Sequence, residues 1–146
     1  MGTVLPNLRS SPNPATLAQD GASVPESKGT VLVVDDEEPV RKVAADLLTY
    51  LGYSVLTSPS GGDAVKTLLA GTRPDVVLLD VIMPEMNGAE TFRRLREIDP
   101  ELPILICTGF SDNASVEAFH GEGVSGFVHK PYHMKTLEEQ VRKAIG

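Results

Sequence analysis

The amino-acid sequence predicts an α/β fold with a doubly wound, five-stranded parallel sheet. Five short apolar runs alternate with stretches in which apolar residues recur at helical spacing, and three of the runs are apolar without alternation. Strands that are covered on both faces have this unalternating pattern. A chain that alternates strands and helices forms a parallel sheet with right-handed crossovers and helices on both faces.

The runs that predict the strands occupy residues 30–34, 53–56, 76–79, 104–107 and 126–128. Five strands connected in this way favour the flavodoxin-like strand order 2-1-3-4-5. In such sheets, ligands bind beyond the carboxyl ends of the strands, at the point where the strand order reverses. The residues that end the first, third, fourth and fifth strands are therefore the candidates for chemistry.

Five helices are predicted between and after the strands. The strongest pattern places apolar residues at positions 40, 43, 44, 47, 48 and 51, on one face of a helix, and Gly52 supplies the stop signal. Residues 89–98, which end before Pro100, and residues 134–145 show the same spacing. Weaker patterns predict helices over residues 61–69 and 114–119.

Residues 1–29 differ in composition from the rest of the chain. They hold four of the eleven prolines, several Ser and Thr, and no aromatic residue. Such a segment buries too little apolar surface to offset the entropy of ordering, so we expect a disordered tail or linker. Residues 30–146 then form one domain, because a chain of 146 residues leaves little room for a second core.

Charge and hydropathy disfavour two classes of partner. The net charge of −7 argues against direct binding of nucleic acid, which depends on clustered Lys and Arg. No run approaches the roughly 18 apolar residues of a membrane span, and the first residues lack the layout of a secretory signal. We therefore expect a cytoplasmic protein without direct membrane contact.

Cysteine and histidine carry no predicted chemistry. Cys107 is the one cysteine, so it has no partner for an internal disulfide or a thiolate metal site, and a buried strand residue is expected. His120, His129 and His133 share no helical spacing and have no acidic partner close in sequence. Surface or structural roles are expected for all three.

Acidic, hydroxyl and basic side chains end four of the predicted strands. Asp35 and Asp36 follow the first strand, Asp80 follows the third, and Thr108 and Lys130 end the fourth and fifth. Three carboxylates at one sheet edge repel one another unless a cation neutralises them. Ligation by oxygen alone selects a hard ion, and a shallow site with few protein ligands suits Mg²⁺ better than Ca²⁺.

Lys130 and Thr108 extend this predicted metal site toward phosphoryl chemistry. Lys130 supplies a mobile positive charge that can pair with Asp80 or with a phosphoryl oxygen, and Thr108 supplies a hydroxyl donor. A carboxylate nucleophile, a metal, a lysine and a hydroxyl are the parts that phosphoryl transfer needs, because its transition state is stabilised mainly by positioning and charge.

Four segments at these strand ends resemble the receiver domain of bacterial two-component response regulators in order and spacing. They are VLVVDDEEPVR, PDVVLLDVIMPEMNG, ILICTGFSD and GFVHKPY, and the resemblance extends over residues 30–146. It implies a signalling switch rather than a turnover enzyme. Asp80 would accept a phosphoryl group from a histidine kinase or a histidine phosphotransfer domain, and the domain would help to catalyse its own phosphorylation and dephosphorylation.

The resemblance also implies which residues bind the metal ion. Asp36, Asp80 and the backbone carbonyl of Ile82 would bind Mg²⁺ directly, and Asp35 would act largely through water.

Other residues would contact the phosphoryl group or respond to it. The resemblance implies that Thr108 and Lys130 contact the phosphoryl oxygens and that a cis peptide joins Lys130 to Pro131. Phe127 matches an aromatic switch position that swings inward after phosphorylation. Because Phe127 has no hydroxyl, its switching would rest on packing, and static core packing is the alternative. The surface that changes would be the predicted fourth helix, the fifth strand and the fifth helix.

Two other functions are compatible with an acidic site on this sheet. A phosphohydrolase or phosphotransferase that forms an aspartyl-phosphate usually carries a second Asp two residues after the nucleophile, and Ile82 occupies that position here. A degenerate receiver would act as a scaffold independently of phosphorylation, but it would not need the complete set of acidic, Thr and Lys residues.

The wider context is predicted from two short segments. The opening Thr3-Val4-Leu5-Pro6 and the Pro/Ser-rich stretch after it resemble the last strand of a histidine-kinase ATPase domain that leads into a fused receiver. TGFSD is similar to receivers at the ends of hybrid sensor kinases. We therefore favour the C-terminal receiver of a hybrid sensor histidine kinase over a free-standing regulator, with output through a partner surface and a monomeric or weakly dimeric state.

Overall fold

The computed structural model describes residues 27–81, 88–109 and 123–146. The strands in these ranges are β1 (Thr30–Val34), β2 (Ser54–Ser58), β3 (Val76–Asp80), β4 (Ile104–Thr108) and β5 (Gly126–His129). The helices are α1 (Glu38–Tyr50), α2 (Gly61–Leu69), α3 (Gly88–Ile98) and α4 (Met134–Ile145). Helix α4 is the predicted fifth helix. The predicted fourth helix, residues 114–119, lies outside the described residues.

The strands form one parallel sheet in the order β2-β1-β3-β4-β5. This order confirms the predicted α/β fold and places the reversal of strand order between β1 and β3. In the register of the sheet, Asp80 of β3 pairs with Cys107 of β4, and Thr108 of β4 pairs with His129 of β5. The carboxyl ends of these strands therefore meet at one edge of the sheet.

The two faces of the sheet carry separate hydrophobic clusters, and alternate residues of β1 enter different ones. Leu32 and Val34 pack with residues of α2 and α3, whereas Val31 and Val33 pack with residues of α1 and α4. All four are buried. Because burying such a side chain contributes about 1.5–3 kcal/mol, both faces hold the strand in place, and a strand buried on both faces has no polar position to alternate with.

Local signals set the helix starts near the site. Helix α1 begins at Glu38 with Pro39 in its first turn, where a proline costs no hydrogen bond. Helix α2 begins after Ser60, whose hydroxyl accepts from the backbone N–H of Asp63 at 3.1 Å. Among the helices described, none combines the length and the hydropathy needed to cross a membrane.

The residues just before β1 lie at the opposite edge of the sheet from Asp80. The Ser27 hydroxyl is 2.9 Å from that of Ser54, and the Lys28 backbone N–H donates to the Gly52 carbonyl at 3.0 Å. Ser27–Gly29 therefore contact the domain. Residues 1–26 lie outside the described residues, so the tail or linker and its boundary stay a prediction.

Candidate functional site

Three carboxylates converge where the strand order reverses. Asp35 and Asp36 follow β1, and Asp80 is the last residue of β3. Each offers one oxygen to a group whose atoms all lie within 4.8 Å of one another. Asp35 and Asp80 are buried, whereas Asp36 is exposed. The site is therefore open to solvent on the side of Asp36.

Lys130 bridges the two buried carboxylates. Its ammonium nitrogen donates a hydrogen bond to Asp80 Oδ1 at 3.0 Å and lies 2.9 Å from Asp35 Oδ2. Its backbone N–H donates to the Thr108 carbonyl at 2.7 Å, which ties the end of β5 to the end of β4. The peptide bond between Lys130 and Pro131 is cis, as the resemblance to receiver domains implies.

Asp35 is held in place from both sides. Its Oδ1 accepts from the backbone N–H of Glu37 at 2.9 Å, and its backbone carbonyl accepts from Arg41 Nη1 at 2.7 Å. Its Oδ2 is buried and lies 2.9 Å from Lys130 Nζ, but the angles of this ion pair are not those of a regular hydrogen bond, and the described part of the chain offers it no other partner. A hard cation or a water bound to it would satisfy this oxygen, so the three carboxylates fit Mg²⁺.

Burial and charge oppose each other at this site. Burial raises the pKa of Asp80 from 3.8 to about 6, with smaller upward contributions from Asp35 and Asp36, although Lys130 acts to lower it. Burial also disfavours the charged form of Lys130, yet its close pairing with the Asp35 and Asp80 carboxylates outweighs burial and raises its pKa. Asp80 therefore retains a proton more readily than an ordinary aspartate does, and Lys130 stays charged.

We expect the affinity for Mg²⁺ to fall as the pH drops through about 6, the pKa of Asp80. The metal needs the ionised carboxylate, so below that pH each unit should weaken binding about tenfold. In the metal-free protein, the stability of the fold depends on pH in the opposite direction. The raised pKa adds stability below the ordinary pKa of Asp, and this stability is lost as the pH rises through about 6. Calorimetric Mg²⁺ titrations at pH 7.5 and pH 5 measure the first effect, and equal affinities would contradict it.

The Thr108 side chain is buried, and its hydroxyl contacts a histidine. Thr108 Oγ1 lies 3.0 Å from Nδ1 of His129, the residue that it pairs with across the sheet. The sequence predicts no chemistry for His129. His129 lies beside Thr108 because of the register in which β4 and β5 pair. The sequence does not give this register, because it does not fix the residue at which each strand ends.

Of the two remaining predicted site residues, the structure describes Phe127 but not Ile82. Phe127 is half-buried and packs against the cluster on the α2 and α3 face, and its switch role stays a prediction. Ile82, whose carbonyl is the predicted third metal ligand, lies outside the described residues.

Cys107 lies directly beneath the site, and its thiol is unreactive. It is fully buried, and burial raises the pKa of its thiol to about 12, although a hydrogen bond with Tyr132 acts to lower it. The thiol therefore stays protonated, as expected of a buried strand residue. No pattern in the sequence predicts that Tyr132 is the hydrogen-bond partner of Cys107.

An apolar pocket of about 440 Å³ opens beside Lys130, between α1 and the segment after β5. We call it the α1 groove. Its lining residues are Pro39, Val40, Val43, Gly109, Lys130, Pro131 and Tyr132. The Val43 side chain is 49% exposed, so the groove presents an uncovered apolar surface next to the carboxylates.

A comparison with family models defines the class of protein. The model of the response regulator receiver domain matches residues 31–142, which is well over half of the chain. The chain therefore belongs to the response regulator receiver domain family. It spans about half the length of the first curated relatives that it matches.

Individual relatives differ in how much of their length is matched. The chain is 31% identical over 113 residues to the chemotaxis protein CheY of Thermotoga maritima, covering 77% of this chain and 94% of that protein. It is 32% identical over 117 residues to the sensor kinase CckA of Brucella abortus, covering 80% of this chain and 12% of that protein. Among solved structures, it is similar to the N-terminal domain of a response regulator/sensory box/GGDEF 3-domain protein from Carboxydothermus hydrogenoformans. The TM-score is 0.74 and the identity 29%, over 80% of this chain and 93% of that chain.

Proposed function

We propose that this domain is a phosphoryl-accepting signalling switch in which Asp80 takes its phosphoryl group from a phosphohistidine in a Mg²⁺-dependent reaction. The observation that carries this proposal is the convergence of Asp35, Asp36 and Asp80 within 4.8 Å, with Lys130 bridging the two buried carboxylates. Membership of the receiver family supports it. The domain is itself the acceptor of the phosphoryl group and is not a turnover enzyme.

The reaction forms one bond and breaks one. An Asp80 carboxylate oxygen attacks phosphorus, the N–P bond of the phosphohistidine breaks, and the electron pair returns to the imidazole. Asp36, Asp80 and the backbone carbonyl of Ile82 would hold Mg²⁺ directly, and Asp35 would do so through water. When bound, the ion neutralises the carboxylates and the charge on the phosphoryl oxygens.

Phosphorylation changes what Lys130 can bind. Asp80 Oδ1 loses its negative charge when it becomes part of an acyl phosphate, so Lys130 Nζ moves toward a phosphoryl oxygen, and Thr108 donates its hydroxyl to another. Because the Lys130 backbone is hydrogen-bonded to Thr108, a movement at the end of β5 is passed to the end of β4. Phe127 packs differently in response, and the surface of residues 114–119, β5 and α4 changes.

The simplest test uses a small-molecule phosphodonor, which needs no partner protein. In Mg²⁺ the parent chain should gain one phosphoryl group, and Asp80→Asn should gain none, because the amide is not a nucleophile. Asp46→Asn, at an exposed position on α1, is the matched control and should be phosphorylated like the parent. Intact-mass spectrometry measures all three. Undiminished modification of Asp80→Asn would rule out Asp80 as the acceptor.

The α1 groove is the proposed docking surface for the phosphohistidine donor. It is apolar, and its wall includes Lys130, which contacts the phosphoacceptor. A donor helix seated there would bring its histidine to the open side of the site. A histidine kinase or a histidine phosphotransfer domain provides such helices.

Val43→Glu tests the docking surface separately from the chemistry. A charge in the apolar groove should slow transfer from a phosphorylated histidine phosphotransfer domain about tenfold or more, because the carboxylate must be desolvated on docking. Phosphorylation by a small donor should be unchanged, since Val43 supplies no group to the carboxylate cluster or to Lys130. Lys42→Glu, next to it and exposed, is the control. Equal slowing with both donors would show that the groove acts on the site itself.

The proposed setting is the C-terminal receiver of a cytoplasmic hybrid sensor histidine kinase, joined through a linker formed by residues 1–29. Similarity to a short part of the sensor kinase CckA supports it. The domain would be a monomer or a weak dimer and would contact neither nucleic acid nor membrane directly. Sequencing the gene upstream tests this setting: kinase-coding sequence in the same frame is expected, and a stop codon directly upstream would contradict it.

A further inference from the structure

The contact between Thr108 and His129 joins a buried hydroxyl to an exposed ring. Thr108 is 1% exposed, and its Oγ1 lies 3.0 Å from His129 Nδ1. His129 is the last residue of β5 and is exposed to solvent. The next residue, Lys130, donates its backbone N–H to the Thr108 carbonyl at 2.7 Å. The main chain therefore holds the ring and the hydroxyl side by side.

A threonine hydroxyl has a single proton to donate. Because the His129 ring is exposed, water can accept from Nε2–H, and Nδ1 is then free to accept from the Thr108 hydroxyl. In that arrangement the proton of Thr108 is directed at His129. It cannot at the same time be donated to a phosphoryl oxygen on Asp80.

We propose that His129 is a positioning residue of the switch. It holds the Thr108 hydroxyl in the unphosphorylated domain and loses it when Asp80 carries a phosphoryl group. This inference rests on the proposed function, because it requires Thr108 to donate to a phosphoryl oxygen. Phosphorylation then frees an exposed ring at the end of β5, so the contact carries the state of a buried site to the surface.

The change of the Thr108 hydrogen bond from His129 to a phosphoryl oxygen has a measurable consequence. The hydrogen bond to His129 must break before Thr108 can turn, so His129 weakens binding of any phosphoryl mimic. Removing the ring should strengthen that binding by about two- to tenfold, which corresponds to the net contribution of one hydrogen bond. The strengthening should depend on the Thr108 hydroxyl.

The experiment measures the affinity for beryllofluoride in excess Mg²⁺. His129→Val should bind it about two- to tenfold more tightly than the parent. His129→Asn should keep the parent affinity, because its side-chain oxygen can accept from Thr108 as Nδ1 does. In a Thr108→Val background, His129→Val should change nothing. His133→Gln, at an exposed position before α4, is the control and should match the parent.

A spectroscopic readout tests the same contact directly. Nitrogen NMR of the His129 ring should show an unprotonated Nδ1 that accepts a hydrogen bond in the free domain and loses it when beryllofluoride binds. An unchanged or weaker affinity in His129→Val would overturn the role of His129, as would an equal effect in the Thr108→Val background. A parent chain that fails to bind beryllofluoride, or an Asp80→Asn variant that binds it equally well, would overturn the proposed function together with this inference.

Discussion

Replacing Gly88 with alanine is expected to destabilise the domain and displace the phosphoacceptor. A Cβ at Gly88 would lie 2.7 Å from both the Cα and the carbonyl oxygen of Val81, and 2.9 Å from the carbonyl oxygen of Asp80. These are backbone atoms, so no side chain can move aside. The start of α3 or the end of β3 must shift, at a cost of about 2–3 kcal/mol, and the backbone hydrogen bond from Gly88 to Val81 weakens.

Gly62→Ala is the matched control for Gly88→Ala. Gly62 also lies in the first turn of a helix, but the nearest atom to its added Cβ is Ser60 Oγ at 3.9 Å. Alanine there should stabilise the protein by about 0.5–1 kcal/mol, because glycine is a poor helix former. Urea unfolding measures both variants, and beryllofluoride affinity reports the displacement. A Gly88→Ala variant as stable as Gly62→Ala would mean that the close approach has no cost.

Replacing Lys130 with methionine should have an effect of similar size, and Mg²⁺ should reverse it. Without the ammonium group, Asp35 and Asp80 are buried carboxylates with no counter-charge from this lysine. Breaking a buried ion pair costs about 3–5 kcal/mol, and the partial exposure of Lys130 places the loss toward the lower end. Saturating Mg²⁺ should restore most of it, because the cation neutralises the same oxygens and binds only the folded chain.

Lys42→Met removes a lysine from an ion pair of a different kind. Lys42 and Asp46 are 3.2 Å apart, with side chains 71% and 67% exposed, so their pair should contribute less than about 1 kcal/mol. Urea unfolding at pH 7.5, with a chelator and then with Mg²⁺, separates the two lysines. Equal losses in both variants, or a loss in Lys130→Met that Mg²⁺ leaves unchanged, would contradict the role of Lys130 as a counter-ion to the site.

The sheet and the carboxylate cluster were predictable because both depend on local sequence. Buried parallel strands have unalternating apolar runs, and parallel strands place their carboxyl ends at one edge. The sequence alone therefore predicts that Asp35, Asp80 and Lys130 lie close together. The observed β2 begins one residue later and ends two residues later than predicted, because its exposed positions give a weak pattern.

Features that depend on register or on packing could not be predicted in the same way. His129 meets Thr108 only because β4 and β5 pair in one register, and a shift by one residue would turn its side chain to the other face. The close approach of Gly88 to β3 and the α1 groove arise from the way helices sit on the sheet. Helical periodicity places Val43 on the apolar face of α1 with Ala44 and Leu48, which are buried, but the Val43 side chain is 49% exposed and borders a pocket beside Lys130.

The most direct test is to identify the residue that carries the phosphoryl group. Reduction with borohydride converts an aspartyl-phosphate to homoserine, which peptide mass spectrometry locates in the chain. After treatment with a small phosphodonor in Mg²⁺, we expect homoserine at position 80 alone, and none when a chelator replaces Mg²⁺. Homoserine at position 35 or 36, or phosphorylation that persists without the metal, would contradict the assignment of Asp80 as the Mg²⁺-dependent phosphoacceptor.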